Sequence, residues 1–157
     1  MIIQRQEDEI VFRGVDSFFE ELLRQLPESA LPGDAASRAR IFTPLTGGRD
    51  READAEWQEL NEPELRELFK SHLDVVADDL KNLTGEEDDR SVSFPLNHVP
   101  AWIHTLNQAR LAIAARYGFT EDDIEGRVDV SPKKAVILRQ IEIYAELLGF
   151  LLQHTDL

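Results

Sequence analysis

Apolar residues fall at two different spacings along this chain, and the switches between them mark its expected elements. Residues 2–13, IIQRQEDEIVFR, place two short β-branched and aromatic runs on either side of Glu7-Asp8-Glu9, the pattern of a β-hairpin or of one strand with a frayed start. Phe18, Phe19, Leu22, Leu23 and Leu26 then recur at helical spacing. Asp16 or Ser17 can cap that helix, and Glu20 and Glu21 suit its positive dipole end. Pro27 is expected to stop it. From Pro27 to about Asp54 the pattern lapses. Pro27, Pro32, Gly33, Pro44, Gly47 and Gly48 punctuate a long connection whose anchors are Ile41 and Phe42.

A second helical region begins near Glu52, carries Trp57 and Leu60, and is expected to restart at Pro63, a residue suited to the first position of a helix. Leu65, Leu68, Phe69, Leu73, Val76, Ala77, Leu80 and Leu83 form its apolar stripe. Gly85 is expected to end the helix, with Glu86 to Arg90 as a charged tip. Ser91 to Leu96 then alternates, turning Val92, Phe94 and Leu96 inward. This is a strand able to join the N-terminal hairpin at an edge, where Pro95 is tolerated. Asn97 is a suitable cap for the third helix, whose inward residues are Val99, Trp102, Ile103, Leu106, Ile113, Ala114 and Tyr117, with Gly118 as its stop.

The last helix runs from Ser131-Pro132 to about His154. Its polar strip, Arg139, Glu142, Glu146, Gly149 and Gln153, is narrow, and the apolar remainder spans roughly 220°. Such a helix is either central to the bundle or buried against a second copy, so a homodimer through helix 131–154 is expected. Together these elements predict a mainly α single domain over residues 1–157, with the loop 27–54 inside it. Its core is a bundle of four main helices beside a small N-terminal β-hairpin, which the strand at Ser91–Pro95 would enlarge to a three-stranded antiparallel sheet, making the fold formally α+β.

Composition narrows the function classes. The chain has 31 Asp and Glu against 17 Lys and Arg, a formal charge of −14. Nucleic-acid backbones and anionic membrane surfaces both demand clustered cations, so neither is an expected partner. The chain contains no Cys, which excludes disulfides, a Cys nucleophile and Cys-ligated metal centres. The longest apolar run, Leu147 to Leu152, falls far short of the ~20 residues that span a bilayer. The opening MIIQRQEDEI lacks the pattern of a signal peptide, so a cytoplasmic location is expected.

Arg110 interrupts the inward face of the third helix between Leu106 and Ile113. A buried guanidinium needs carboxylates or carbonyls. Asn107 lies one turn earlier, and Arg40, Glu56, Arg66, Asp74 and Asp78 are candidate members of the same network if the two long helices pack antiparallel. Such a cluster either fixes helix register or forms an anion or peptide-carboxylate pocket. Trp57 borders the long loop and is a candidate contact for a partner, while Trp102 reads as core with its indole N–H satisfied at the rim. His72, His98, His104 and His154 form neither a His-x-x-x-His nor a Glu-x-x-His pair, so no metal or other cofactor is expected. The acidic run Gly85 to Arg90 lacks the ligand spacing of a calcium loop. Thr46-Gly47-Gly48-Arg49 could bend around a phosphate, yet no Lys-Ser/Thr follows. Nothing supplies a nucleophile, a base and an orienting group together, which disfavours an enzyme.

The segment Trp102-Ile103-His104-Thr105-Leu106-Asn107-Gln108-Ala109-Arg110-Leu111 resembles the signature of a bacterial family catalogued as domain of unknown function number 2017. Upstream, Arg40-Ile41-Phe42-Thr43-Pro44, then Ala53, Ala55, Glu56 and Trp57, then Leu60 and Leu65-Arg66, are similar to the same family's elements, with Thr43 before Pro44 as a departure. The resemblance implies a small, mostly helical cytoplasmic bacterial protein without an established activity. In some bacteria its gene lies beside that of the Clp protease adaptor, which points toward regulated proteolysis and a Clp-type partner. The first expectation is therefore a non-enzymatic interaction or adaptor module, using the Phe42–Trp57 region and the Asn107/Arg110 cluster. The alternative is a sensor or enzyme for a small anion, with Arg110, Asn107, Arg66 and Arg40 converging on it.

Overall fold

Two β-hairpins and three long helices meet around one aromatic cluster beneath the sheet. In the computed structural model, which describes residues 1–31, 46, 48–126 and 130–154, β1 (Ile2–Gln6) and β2 (Glu9–Val15) pair antiparallel across Glu7-Asp8, with Gln6 opposite Glu9. Glu7 takes a φ of 53°, the left-handed conformation that a two-residue turn demands. A second hairpin, β3 (Thr84–Glu86) and β4 (Asp89–Pro95), turns at Glu87-Asp88. The sheet is antiparallel throughout, in the order β1-β2-β4-β3.

The expected three-stranded sheet thus has a fourth strand, and the expected charged tip is its hairpin turn. Thr84–Glu86 is too short and too exposed to leave an alternating pattern. Strand β4 is internal rather than an edge. Pro95 is tolerated because β3 covers only Asp89 to Ser91, so the Pro95 end of β4 pairs with β2 alone among the described residues. The result is an α+β arrangement rather than a clean bundle.

Helix α1 (Ser17–Ser29) is capped by the Asp16 carboxylate, which accepts from Phe19 N at 2.9 Å. It continues through Pro27 instead of stopping there, since a missing N–H in the final turn forfeits little. Helix α2 (Arg51–Leu80) is one continuous helix of 30 residues, not two, with Pro63 inside it. Strong helix formers flank the proline, and the Glu62–Arg66 ion pair (2.6 Å) bridges it. The helix ends at Leu80, before Gly85. Between α1 and α2, the anchors Ile41 and Phe42 lie outside the described residues.

Helix α3 (Val99–Arg116) follows a 3₁₀ turn, Leu96–His98, that absorbs the expected Asn97 cap; no side chain caps α3. Its end is as expected. Gly118 has φ 66°, and Gly118 N and Phe119 N donate back to Ala115 O and Ala114 O, closing the helix in a Schellman motif. A short helix α4 (Glu121–Ile124) precedes α5 (Pro132–Gln153), which Ser131 caps. Among the described residues, no helix is long and apolar enough to cross a membrane.

The central helix is α3, so of the two expectations for the last helix a central position is not the one met. Helix α3 packs against α1, α2 and α5 and carries Trp102 under the sheet. The Phe94 ring stacks on Trp102 at 4.5 Å, and Phe12 meets both edge-on at 5.6 Å. Helix α5 buries Ile141, Ile143, Tyr144, Leu147, Leu148 and Leu151, and Tyr144 Oη donates to the Leu22 carbonyl at 2.6 Å.

Gly85 has a φ of 107°, and a Cβ there would lie 2.8 Å from the Asp89 carbonyl oxygen. Gly85→Ala is therefore expected to destabilise the protein by about 2 kcal/mol, a fall in Tm of roughly 4–8 °C, readable by thermal melting followed by circular dichroism.

Candidate functional site

Asp79 stands on the same stripe of α2 that buries Leu73, Val76 and Leu80, and is only 5% exposed. A carboxylate so placed needs donors. Trp102 Nε1 donates to Oδ2 at 2.9 Å, and His98 Nδ1 lies 3.0 Å from both oxygens. Because a carboxylate only accepts, His98 carries its proton on Nδ1, and Nε2 is left on the far side of the ring. Catalytic and metal-bound histidines are oriented by the same device. Among the described residues, however, His98 has no other hydrogen-bond partner, and no three His, Asp or Glu side chains gather as a metal cluster. The Trp102 indole is fully buried against Asp79, a correction to the rim placement expected for it. The signal was present: an Asp three residues after Val76 on an apolar stripe, and a His and a Trp one turn apart at the next helix start.

A second feature lies between α2 and α3. A cleft of about 140 Å³ is lined by Phe69, His104, Asn107, Gln108 and Leu111. Beside it the His72 and His104 rings stack almost parallel, with centroids 4.6 Å apart. Burial, and then the neighbouring His104 charge, hold the His72 pKa below its ordinary value. Gln108 is buried and donates to the Ala30 carbonyl at 2.8 Å, tying the end of α1 to α3.

The residues expected to converge do so only in part. Asn107 lines the cleft, and Arg110 is half-buried one turn further along α3, its Nε without a hydrogen-bond partner among the described residues. The predicted carboxylate partners do not reach it: Asp74 is exposed, and Asp78 pairs with Lys81 at 2.9 Å. Arg66 pairs with Glu62 on α2, beside a shallow depression lined by Gln58, Glu59 and Pro63. Glu56 is exposed, and Trp57 is half-buried with its carbonyl accepting from Asn61. Arg40 lies outside the described residues.

The bend at Thr46, which lacks the Lys-Ser/Thr of a phosphate loop, is filled by the protein's own carboxylate. Thr46 N, Thr46 Oγ1 and Gly48 N donate to the buried Asp54 side chain at 2.7, 2.9 and 3.1 Å, which occupies the donors a phosphate would need. The Thr46 backbone N–H, and after it the Thr46 hydroxyl, hold the Asp54 carboxyl below its usual range. At the acidic hairpin tip, Asp88 accepts from both Ser17 N and Ser17 Oγ, and the hydroxyl bond leads in lowering its pKa.

Asp79→Ala strands the indole and imidazole donors and is expected to cost about 2–4 kcal/mol in urea unfolding. The His72 proton affinity makes stability depend on pH. Its folded pKa lies below its ordinary value of 6.5, so its contribution is fully present above about 6.5 and fades as the unfolded chain takes up a proton below that. His72→Phe is expected to flatten the stability profile just below pH 6.5. The acid limb below about pH 3.8 should persist, because it belongs to carboxyls such as Asp54 and Asp88 whose pKa values are lowered on folding.

Among proteins of known kind, the family model described as domain of unknown function DUF2017 matches residues 7–154. None of the curated proteins and none of the solved structures compared with the chain matches it. With a match over nearly its whole length, including the Trp102–Leu111 segment that builds the buried anchor and the cleft, the chain belongs to the DUF2017 family.

Proposed function

We propose that this domain is a non-enzymatic interaction module of the bacterial cytoplasm whose contact element is the N-terminal half of α2. The observation that carries this reading is the exposure of Leu60 and Leu68, at 70% and 50%. Apart from Asp54, every buried residue of α2 is Leu73 or later, so the first five turns extend beyond the core. At ~100° per residue, Trp57, Leu60 and Leu68 share one side of that extension. Residues 51–70 carry seven Asp and Glu against three Lys and Arg. An acidic helix with an apolar ridge suits a partner that offers a basic-rimmed apolar groove. The Clp-type proteolysis component that the family resemblance brings forward is the first candidate.

A second reading, a small-anion sensor, is favoured by one observation: the unpartnered Nε of Arg110 one turn from Asn107 at the cleft. Arg66 does not join that pair, which weakens the reading. It would require an anion that raises the Tm of the wild type and leaves that of Arg110→Leu unchanged.

The interaction reading is tested by a photo-cross-linker installed at Leu60 in the native host, with the captured protein identified by mass spectrometry. One stoichiometric protein with a basic groove is expected, and its capture should be lost in Leu68→Glu at an unchanged Tm. Undiminished capture by that variant overturns the reading.

A further inference from the structure

Helix α5 carries a second side of apolar and small residues that the described residues cover only in part. At ~100° per residue, Leu138, Ala145, Gly149 and Leu152 fall within about 60° of one another, adjoining the arc that packs on the core. Leu152 is 53% exposed, and Leu138 and Ala145 are half-buried. Since α3 occupies the centre of the fold, the width of α5's apolar arc is not explained by a central position.

Two further observations bear on what would cover this side. Gly149 lies well inside the helix, where alanine is more stable, and a Cβ built on it meets nothing within 4 Å. Among the described residues no packing need calls for glycine there; close approach of another helix does. The order of charges is the other observation. Lys133 and Lys134 occupy the first turn and Arg139 follows, whereas Glu146 lies in the second half and no basic residue stands in the last turn. This is the reverse of what the helix dipole favours. Lys134 is met within its own chain by the Phe119 ring, 5.4 Å away; a second α5 laid antiparallel brings Arg139 of each helix toward Glu146 of the other. A parallel partner would set lysine against lysine and glutamate against glutamate.

We infer that two copies of this chain pair antiparallel through α5. With the two-fold axis near Ala145, Leu138 lies opposite the partner's Leu152, and Ala145 and Gly149 form the close crossing. Arg139, which already reaches Glu142 at 3.3 Å and Glu146 at 3.5 Å in its own chain, comes within reach of the partner's Glu146. This surface is separate from the projecting half of α2, so either proposal stands if the other fails.

Light scattering and sedimentation of the full chain test the inference. Wild type is expected at twice 17.9 kDa at high micromolar concentration. Gly149→Leu, whose side chain enters open space, is expected to keep the monomer's fold by circular dichroism yet run as one chain. Arg139→Glu should weaken pairing, and adding Glu146→Arg should restore it. The chain has no Cys, so Leu152→Cys supplies a sole thiol. In an antiparallel pair the two thiols lie far apart and oxidation yields no linked dimer. A one-chain mass for wild type at every concentration overturns the inference, as does a dimer that Gly149→Leu leaves intact. Rapid disulfide linking of Leu152→Cys overturns the antiparallel order.

Discussion

The Asp79 carboxylate is the point at which three elements lock together. It projects from the last turns of α2 and takes one bond from the 3₁₀ turn at His98 and one from α3 at Trp102. Apolar packing alone is non-directional and tolerates small rotations of one helix against another. A buried carboxylate is not so permissive, because each donor it loses leaves a desolvated charge. The setting of Trp102 follows from this bond, and the stack of Phe12, Phe94 and Trp102 under the sheet follows from the setting of Trp102. The start of α3 has no side-chain cap of its own, so this anchor also does the work of an N-terminal stop.

With α3 fixed, the core needs only part of what the other long helices offer. The second half of α2 and one arc of α5 suffice to cover it. Among the apolar positions left toward solvent are Leu60 and Leu68 on one helix and Val136 and Leu152 on the other. Isolated exposed leucines are ordinary. These are not isolated: each lies on a helical row with its own charge pattern, acidic along α2 and reversed against the dipole along α5.

How much of the candidate site was legible depended on sequence distance. Asn107 and Arg110 were recognisable because Arg110 breaks an apolar stripe, a local signal. Their partners were not, because which carboxylate faces a guanidinium is decided by helix rotation and length. Pro63 favours a helix start locally, yet it lies inside one continuous α2, whose expected stripe of Leu73, Val76 and Leu80 is buried. Asp79 went unnoticed because its donors lie 19 and 23 residues away, across a hairpin. The bend at Thr46 does hold an anion, but it is the Asp54 carboxylate of the same chain.

The sequence by itself determined what is written in near neighbours: the N-terminal hairpin, the α1 cap at Asp16, the Gly118 stop, the helical stripes, the net charge and the absence of thiol chemistry. Periodicity, capping and turn preferences act over a few residues, so the chain states them directly. Tertiary structure alone decided that α3 is the centre, that a three-residue strand completes the sheet beyond β4, that Pro63 is carried inside one long helix, and that a buried aspartate receives a histidine and a tryptophan. Each of these depends on which surfaces meet after collapse, where one satisfied buried charge or one more paired strand outweighs the local preference of any single residue.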